Sequence, residues 1–84
     1  MYEAVWSCTT CSNGQVVFVK RVDDGLVFAM CEECTQTYYD LDEQARIVSG
    51  GFGYDIETAY ATMDDISARG CAEYVRRWVE PGGV

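Results

Sequence analysis

The chain contains no histidine. That absence removes the commonest general base and the Cys/His and Ser/His nucleophile pairs in one stroke. Proline occurs once, at Pro81, so no proline-rich linker divides the chain. Basic residues are scarce, six against 14 acidic ones, for a formal charge of −8. No run approaches the roughly 18 apolar residues that a membrane-spanning helix needs. The sequence opens Met-Tyr-Glu, without a basic segment followed by an apolar one. No signal peptide is therefore expected, and the reading is a soluble cytoplasmic protein with no membrane role. The acidity is spread along the chain. Residues 1–34 carry five acids and two bases, and residues 35–84 carry nine and four. Such a surface repels nucleic-acid phosphates and anionic lipid, and favours basic protein surfaces.

What the chain does have is cysteine in a telling arrangement. Four of the five cysteines form two Cys-x-x-Cys pairs, Cys8/Cys11 and Cys31/Cys34, with nineteen residues between Cys11 and Cys31. In a tight turn the two-residue spacing places both sulfurs on one side of the backbone, where they chelate one ion. Two such turns make an all-sulfur tetrahedral site suited to zinc or iron. A reducing compartment, where structural disulfides are disfavoured, strengthens the metal reading. Eighty-four residues lie near the lower limit for a self-sufficient core, so a metal clamp also meets a physical need. Four thiolates add four negative charges and a divalent zinc returns two, taking −8 to −10.

The segment between the pairs explains how they meet. Gln15–Val22 reads QVVFVKRV and Leu26–Met30 reads LVFAM, both rich in β-branched and aromatic residues. Asp23-Asp24-Gly25 between them is a turn sequence, which predicts a β-hairpin. The hairpin begins just after one Cys pair and ends just before the other, so both pairs fall at one end. Tyr2–Trp6 reads as a short strand leading to the first pair, and Thr35–Tyr39 as a possible third strand.

This order of Cys8-x-x-Cys11, hairpin and Cys31-x-x-Cys34 resembles the zinc-ribbon family over roughly residues 5–40. The resemblance implies one structural Zn²⁺ held by Cys8, Cys11, Cys31 and Cys34. Ribbon turns often carry glycine after the second cysteine, whereas Ser12 and Thr35 stand there in this chain. A rubredoxin-like iron site shares the geometry, but its characteristic Cys-Pro and Cys-Gly steps are missing. A closed four-sulfur shell leaves no position for water or substrate, so the expectation is that the protein is not an enzyme.

After Tyr39 the pattern is harder to read. Leu41–Val48 is ambiguous between helix and strand, and Ser49-Gly50-Gly51-Phe52-Gly53 reads as a break. Asp55–Arg69 carries Ile56, Ala59, Tyr60, Met63 and Ile66 at helical spacing. That predicts a helix with Asp55 as N-cap and Gly70 as its C-terminal stop. For residues 71–80 a helix is favoured over a strand, and Cys71 is expected to be a buried small hydrophobe. The expected architecture is thus a small, metal-bound α+β fold. It is one domain over 1–84, a zinc-ribbon sheet (1–48) followed by one or two C-terminal helices packed on it (54–80).

Acidity, the absence of catalytic groups and six tyrosines with two tryptophans point to protein recognition. The candidate partner-binding residues are Tyr38, Tyr39, Asp40, Asp42, Glu43, Asp64 and Asp65. The expected partner has a basic surface. The sharpest version is an immunity protein that occludes the basic cleft of a toxin, such as a nuclease or a nucleotide-using transferase. The alternative is a zinc-ribbon adaptor or nucleic-acid-associated factor of the transcription or translation machinery. Direct nucleic-acid binding is not expected, because Lys20 and Arg21 are opposed by Asp23 and Asp24 and make no basic stripe with Arg76 and Arg77.

Overall fold

The computed structural model describes residues 1–8, 11, 14–39 and 56–80. The hairpin predicted from sequence is its centre. Strand β2, Gln15–Arg21, pairs antiparallel with β3, Val27–Cys31, in a regular register from Val16↔Cys31 to Lys20↔Val27. At the turn, Gly25 takes φ +75° and its N–H donates to the Arg21 carbonyl at 2.8 Å. That left-handed conformation is the one glycine adopts without strain. Successive β2 side chains face opposite ways. Val16 and Phe18 enter one apolar cluster, Val17 and Val19 another, and all four are buried. A strand covered on both faces reads as an unbroken apolar run, which is what VVFV is.

Strand β1, Tyr2–Ser7, lies beside the first part of β2, pairing Glu3↔Val17 and Ser7↔Gln15. Strand β4, Thr37–Tyr38, adds to the far side of β3, so Thr35–Tyr39 does yield a third strand of the ribbon. Two more strands come from the C-terminal segment. Strand β5, Thr58–Tyr60, pairs with β2 from Val19 to Arg21, just beyond the stretch that β1 covers. Strand β6, Val75–Trp78, pairs with β1. The result is a small antiparallel sheet of order β4-β3-β2-β1-β6, with β5 alongside β2.

The helical expectations need correction. Helix α1 spans only Met63–Ala68 rather than 55–69. Its N-cap is Thr62, whose hydroxyl accepts from the Asp65 N–H at 3.1 Å while the Asp65 carboxylate accepts from the Thr62 N–H at 3.0 Å. That reciprocal capping box starts the helix at Thr62. The preceding residues satisfy the bare end of β2 instead of continuing a helix. The expected apolar stripe breaks accordingly: Ile66 is buried, whereas Ala59, Tyr60 and Met63 are exposed. The stop is as expected. Gly70 takes φ +80°, its N–H donates to the Ser67 carbonyl, and the Cys71 N–H donates to that of Ile66. Those two bonds form a Schellman closure.

The helix favoured over 71–80 is also replaced, by a short 3₁₀ turn at Ala72–Tyr74 and then β6. The outer edge of β1 offers unpaired backbone groups, and Val75–Trp78 satisfies them where a short helix would leave them open. The C-terminal segment is thus woven into the ribbon sheet, with one short helix, rather than laid upon it as helices. Cys71 is buried in the same cluster as Phe18 and Ile66, as expected for a small core residue, and burial pushes its thiol pKa up. The expected N-cap Asp55, the segment Leu41–Val48 and the break at Ser49–Gly53 lie outside the described residues.

Candidate metal centre

The hairpin register builds the site. Cys31 is the last residue of β3, opposite Val16, and Cys8 directly follows β1, whose Ser7 pairs with Gln15. Both cysteine pairs therefore sit at the same end of the sheet. The Cys8 N–H donates to the Gly14 carbonyl at 3.3 Å, and the Glu32 N–H to that of Gln15 at 2.9 Å, which ties each pair to the base of β2.

The four Sγ atoms lie within 4.8 Å of one another. Cys8 Sγ is 3.6 Å from Cys34 Sγ, and Cys11 Sγ is 3.7 Å from Cys31 Sγ. A disulfide needs about 2.05 Å. A regular tetrahedron with metal–sulfur bonds of about 2.3 Å has edges of about 3.8 Å. The observed separations match the second figure and exclude the first, so the four cysteines are positioned to hold a metal ion. Cys8 and Cys31 are buried while Cys11 and Cys34 are half-buried, so the cluster has an inner and an outer side.

The backbone around the second pair is shaped for thiolates. Cys31 Sγ accepts from the Glu33 N–H at 3.3 Å and from the Cys34 N–H at 3.5 Å. Such donors offset the charge that four clustered thiolates accumulate. In the protonated state, burial pushes the Cys31 thiol up to about 12, against the opposing pull of those two amides. Burial raises Cys34 as well. A cation must therefore displace protons to bind here.

Gly14 is the other element of the fit. A Cβ built on it would lie 1.9 Å from Cys31 Sγ and 3.1 Å from Cys11 Sγ. The backbone passes so close to the sulfurs that only glycine leaves them room. Thr35, at the position where ribbon turns often carry glycine, takes φ 61°. That left-handed conformation is an outlier for a β-branched residue. Its N–H closes the turn onto the Cys31 carbonyl at 3.1 Å, so the strain is held by the same cysteine pair. Ser12, the matching position of the first pair, lies outside the described residues.

The candidate partner-binding residues separate. Tyr38 is fully buried, with its hydroxyl donating to Cys8 Sγ at 3.4 Å. It belongs to the core beside the four cysteines and is not available as a surface anchor. Tyr39 is half-buried, its ring 4.6 Å from that of Phe28. Asp65 is occupied by the capping box and by Lys20, 3.1 Å away. Asp64 is exposed. Asp40, Asp42 and Glu43 lie outside the described residues. The parity of the strands carried the missed signal for Tyr38. Tyr38 pairs with Ala29, which shares a sheet face with Cys31 two residues on, so its ring had to fall on the sulfur side.

Four cationic side chains are engaged within the chain, while Arg76 is exposed and makes no salt bridge among the described residues. Lys20 bridges Asp65, Arg21 bridges Asp24, and Arg77 bridges Glu3 at 2.7 Å. Arg69 donates to the backbone carbonyls of Val27 and Tyr39. Glu33, Glu57, Asp64 and Glu73 are exposed and make no salt bridge among the described residues. Among the described residues, no helix is long and apolar enough to cross a membrane. Compared with protein-family models, curated proteins and solved structures, the chain matches none of them, so the four-sulfur geometry stands as the basis for reading the site.

Proposed function

We propose that this is a non-enzymatic, zinc-clamped acidic protein that binds and blocks a protein partner with a basic surface. In its most specific form the partner is a toxin domain, a nuclease or a nucleotide-using transferase, whose basic cleft is occluded. The observation that carries the reading is the unequal use of charge. Lys20, Arg21, Arg69 and Arg77 are engaged by groups of the chain itself, leaving Arg76 as the unpaired cation among the described residues, while Glu33, Glu57, Asp64 and Glu73 face solvent without a salt bridge there. Internal pairing leaves the net charge at −8, and an acidic field of that size steers association with basic clefts. Among the described residues the exposed rings are Tyr60 and Trp78, and these take the place of Tyr38 as aromatic anchors.

Zinc is the proposed ion. Four thiolates close its shell, so it supplies folding energy and no reactive position. Elemental analysis of purified protein should find one zinc per chain, and a coloured iron protein would replace the reading with electron transfer.

The partner reading is tested by retaining proteins from a native lysate on the tagged chain at low and at moderate salt. A stoichiometric basic partner is expected, weakened at least tenfold by the double reversal Glu57→Lys/Asp64→Lys. No such partner at either salt, or one indifferent to the reversal, would count decisively against it.

A further inference from the structure

A buried tyrosine needs a partner for its hydroxyl, because an unpaired polar group in a core is costly. Tyr38 is 0% exposed and Cys8 is 3% exposed, and the phenolic O–H donates to Cys8 Sγ at 3.4 Å. A thiolate can only accept hydrogen bonds, so this direction is the one a metal-bound sulfur requires. The position of the hydroxyl is fixed from two sides. The Ala29↔Tyr38 pairing sets the backbone. The Trp6 ring meets the Tyr38 ring edge-on, with centroids 5.7 Å apart and planes at 76°. Trp6 is in turn held edge-on against Phe18 and Tyr74. An aromatic scaffold thus aims one side-chain donor at one of the four sulfurs. The amide donors that serve Cys31 are backbone, and any sequence could supply them; the Tyr38 donor is specific to this chain.

We propose that Tyr38 is a positioning residue for the metal centre, one that orients Cys8 and lowers the electron-donor strength of its sulfur. The inference rests on the metal reading above. Groups that hydrogen-bond to metal ligands typically govern affinity about 10–100-fold when removed. Hydrogen bonds to sulfur also set the electronic properties of thiolate-ligated metals. Tyr38→Phe removes the donor while keeping the ring that packs on Trp6.

The test uses the full chain loaded with Co²⁺ and, separately, with Zn²⁺. Tyr38→Phe should shift the sulfur-to-cobalt charge-transfer band to lower energy, since a sulfur without its donor gives up charge more readily. It should also lower zinc affinity about tenfold in competition with a chelator. Trp6→Phe, which keeps the hydroxyl, should move the band far less. If Tyr38→Phe does not fold, 3-fluorotyrosine at position 38, a stronger donor, should shift the band to higher energy. An unchanged band and unchanged zinc affinity in Tyr38→Phe, or an unchanged band with fluorotyrosine, overturns the proposal and leaves the metal reading intact. A wild-type chain that takes up no cobalt overturns both.

Discussion

The two ends of the central hairpin are held by opposite kinds of chemistry. At one end, β2 and β3 finish at four sulfurs, two of them buried, with backbone amides and a tyrosine hydroxyl turned inward. At the other, the turn is closed by exposed polar groups. Arg21 grips Asp24, the Leu26 N–H donates to Asp24 Oδ1 at 3.0 Å, and Gly25 supplies the left-handed residue. Both ends join the same two strands, yet they should differ greatly in what they contribute. On the inner side of the sulfur end, Cys8, Cys31 and Tyr38 are buried, and water competes little with their interactions. The turn end is bathed in solvent, which screens charge and replaces any lost hydrogen bond.

The largest expected effect comes from opening the sulfur end. Cys31→Ser should release the ion and abolish cooperative unfolding, as should chelation of the wild-type protein. Structural zinc sites of this kind contribute on the order of 10 kcal/mol. The loss should not stop at the first half of the chain. Strand β6 depends on β1, and β5 on β2, so circular dichroism should report loss of the whole sheet. A variant that stays folded and equally thermostable would remove the distinction between the two ends.

Two substitutions of opposite sign test how tightly the sulfur end is fitted. Gly14→Ala drives a methyl to within 1.9 Å of Cys31 Sγ, and overpacking of this kind costs about 1–3 kcal/mol. Thr35→Gly removes a β-branched residue from φ 61° and should stabilise by about 1 kcal/mol, the left-handed strain relieved less the entropy that glycine adds. Denaturant titration of the metal-loaded proteins distinguishes them. Equal midpoints for all three chains would mean the fit is loose.

A third tether tests whether burial, rather than the metal as such, decides the contrast. Glu3 is buried on β1 and accepts from Arg77 of β6. Burial works against its carboxylate. The hydrogen bonds from Arg77 and Gln15, with the charges of Arg77 and Arg76, outweigh that and hold its pKa below the ordinary 4.5. A lowered folded pKa contributes stability that is fully present above the unfolded value and is lost as pH falls through the folded one. Stability should therefore decline below about pH 4.5, and Glu3→Gln should flatten that part of the profile while lowering stability at neutral pH. An acid limb unaltered by the substitution would show that the bridge is as expendable as a surface pair.

How much of this was legible in the sequence follows the same divide between local and distant causes. The sulfur cluster and the hairpin follow from residues near one another in the chain: two-residue spacing, a β-branched run, Asp-Asp-Gly at a turn. The Gly70 stop is equally local. Residues 56–61 misled because their state is fixed from far away. Thr58–Tyr60 becomes a strand where β1 leaves the end of β2 uncovered, and no helical periodicity can reveal a vacant edge nearly 40 residues upstream. Val75–Trp78 is likewise claimed by β1, at the opposite terminus. The true helix start was nevertheless written locally, in Thr62-x-x-Asp65, and the apolar stripe drew attention away from it. Tyr38 shows the reverse error: composition marked it as a surface anchor, whereas strand parity places it against a sulfur.

The smallest effect is expected at the turn. Arg21 draws the Asp24 carboxyl well below the usual carboxylate range, with help from the Leu26 amide, yet the group is fully exposed. A depressed carboxylate pKa in water reports a favourable local geometry and little net stability, because solvent offers the unfolded chain nearly as good a partner. Asp24→Asn keeps a side-chain oxygen for the Leu26 N–H and removes only the charge. Its melting temperature should be indistinguishable from wild type at moderate salt and slightly lower at low salt, where screening is weakest. Gly25→Ala at the same turn should cost more than Asp24→Asn, since φ +75° is a constraint that solvent cannot relieve. If Asp24→Asn instead destabilises as much as Gly14→Ala, the hairpin is clamped at both ends by comparable interactions, and the metal end loses its special standing.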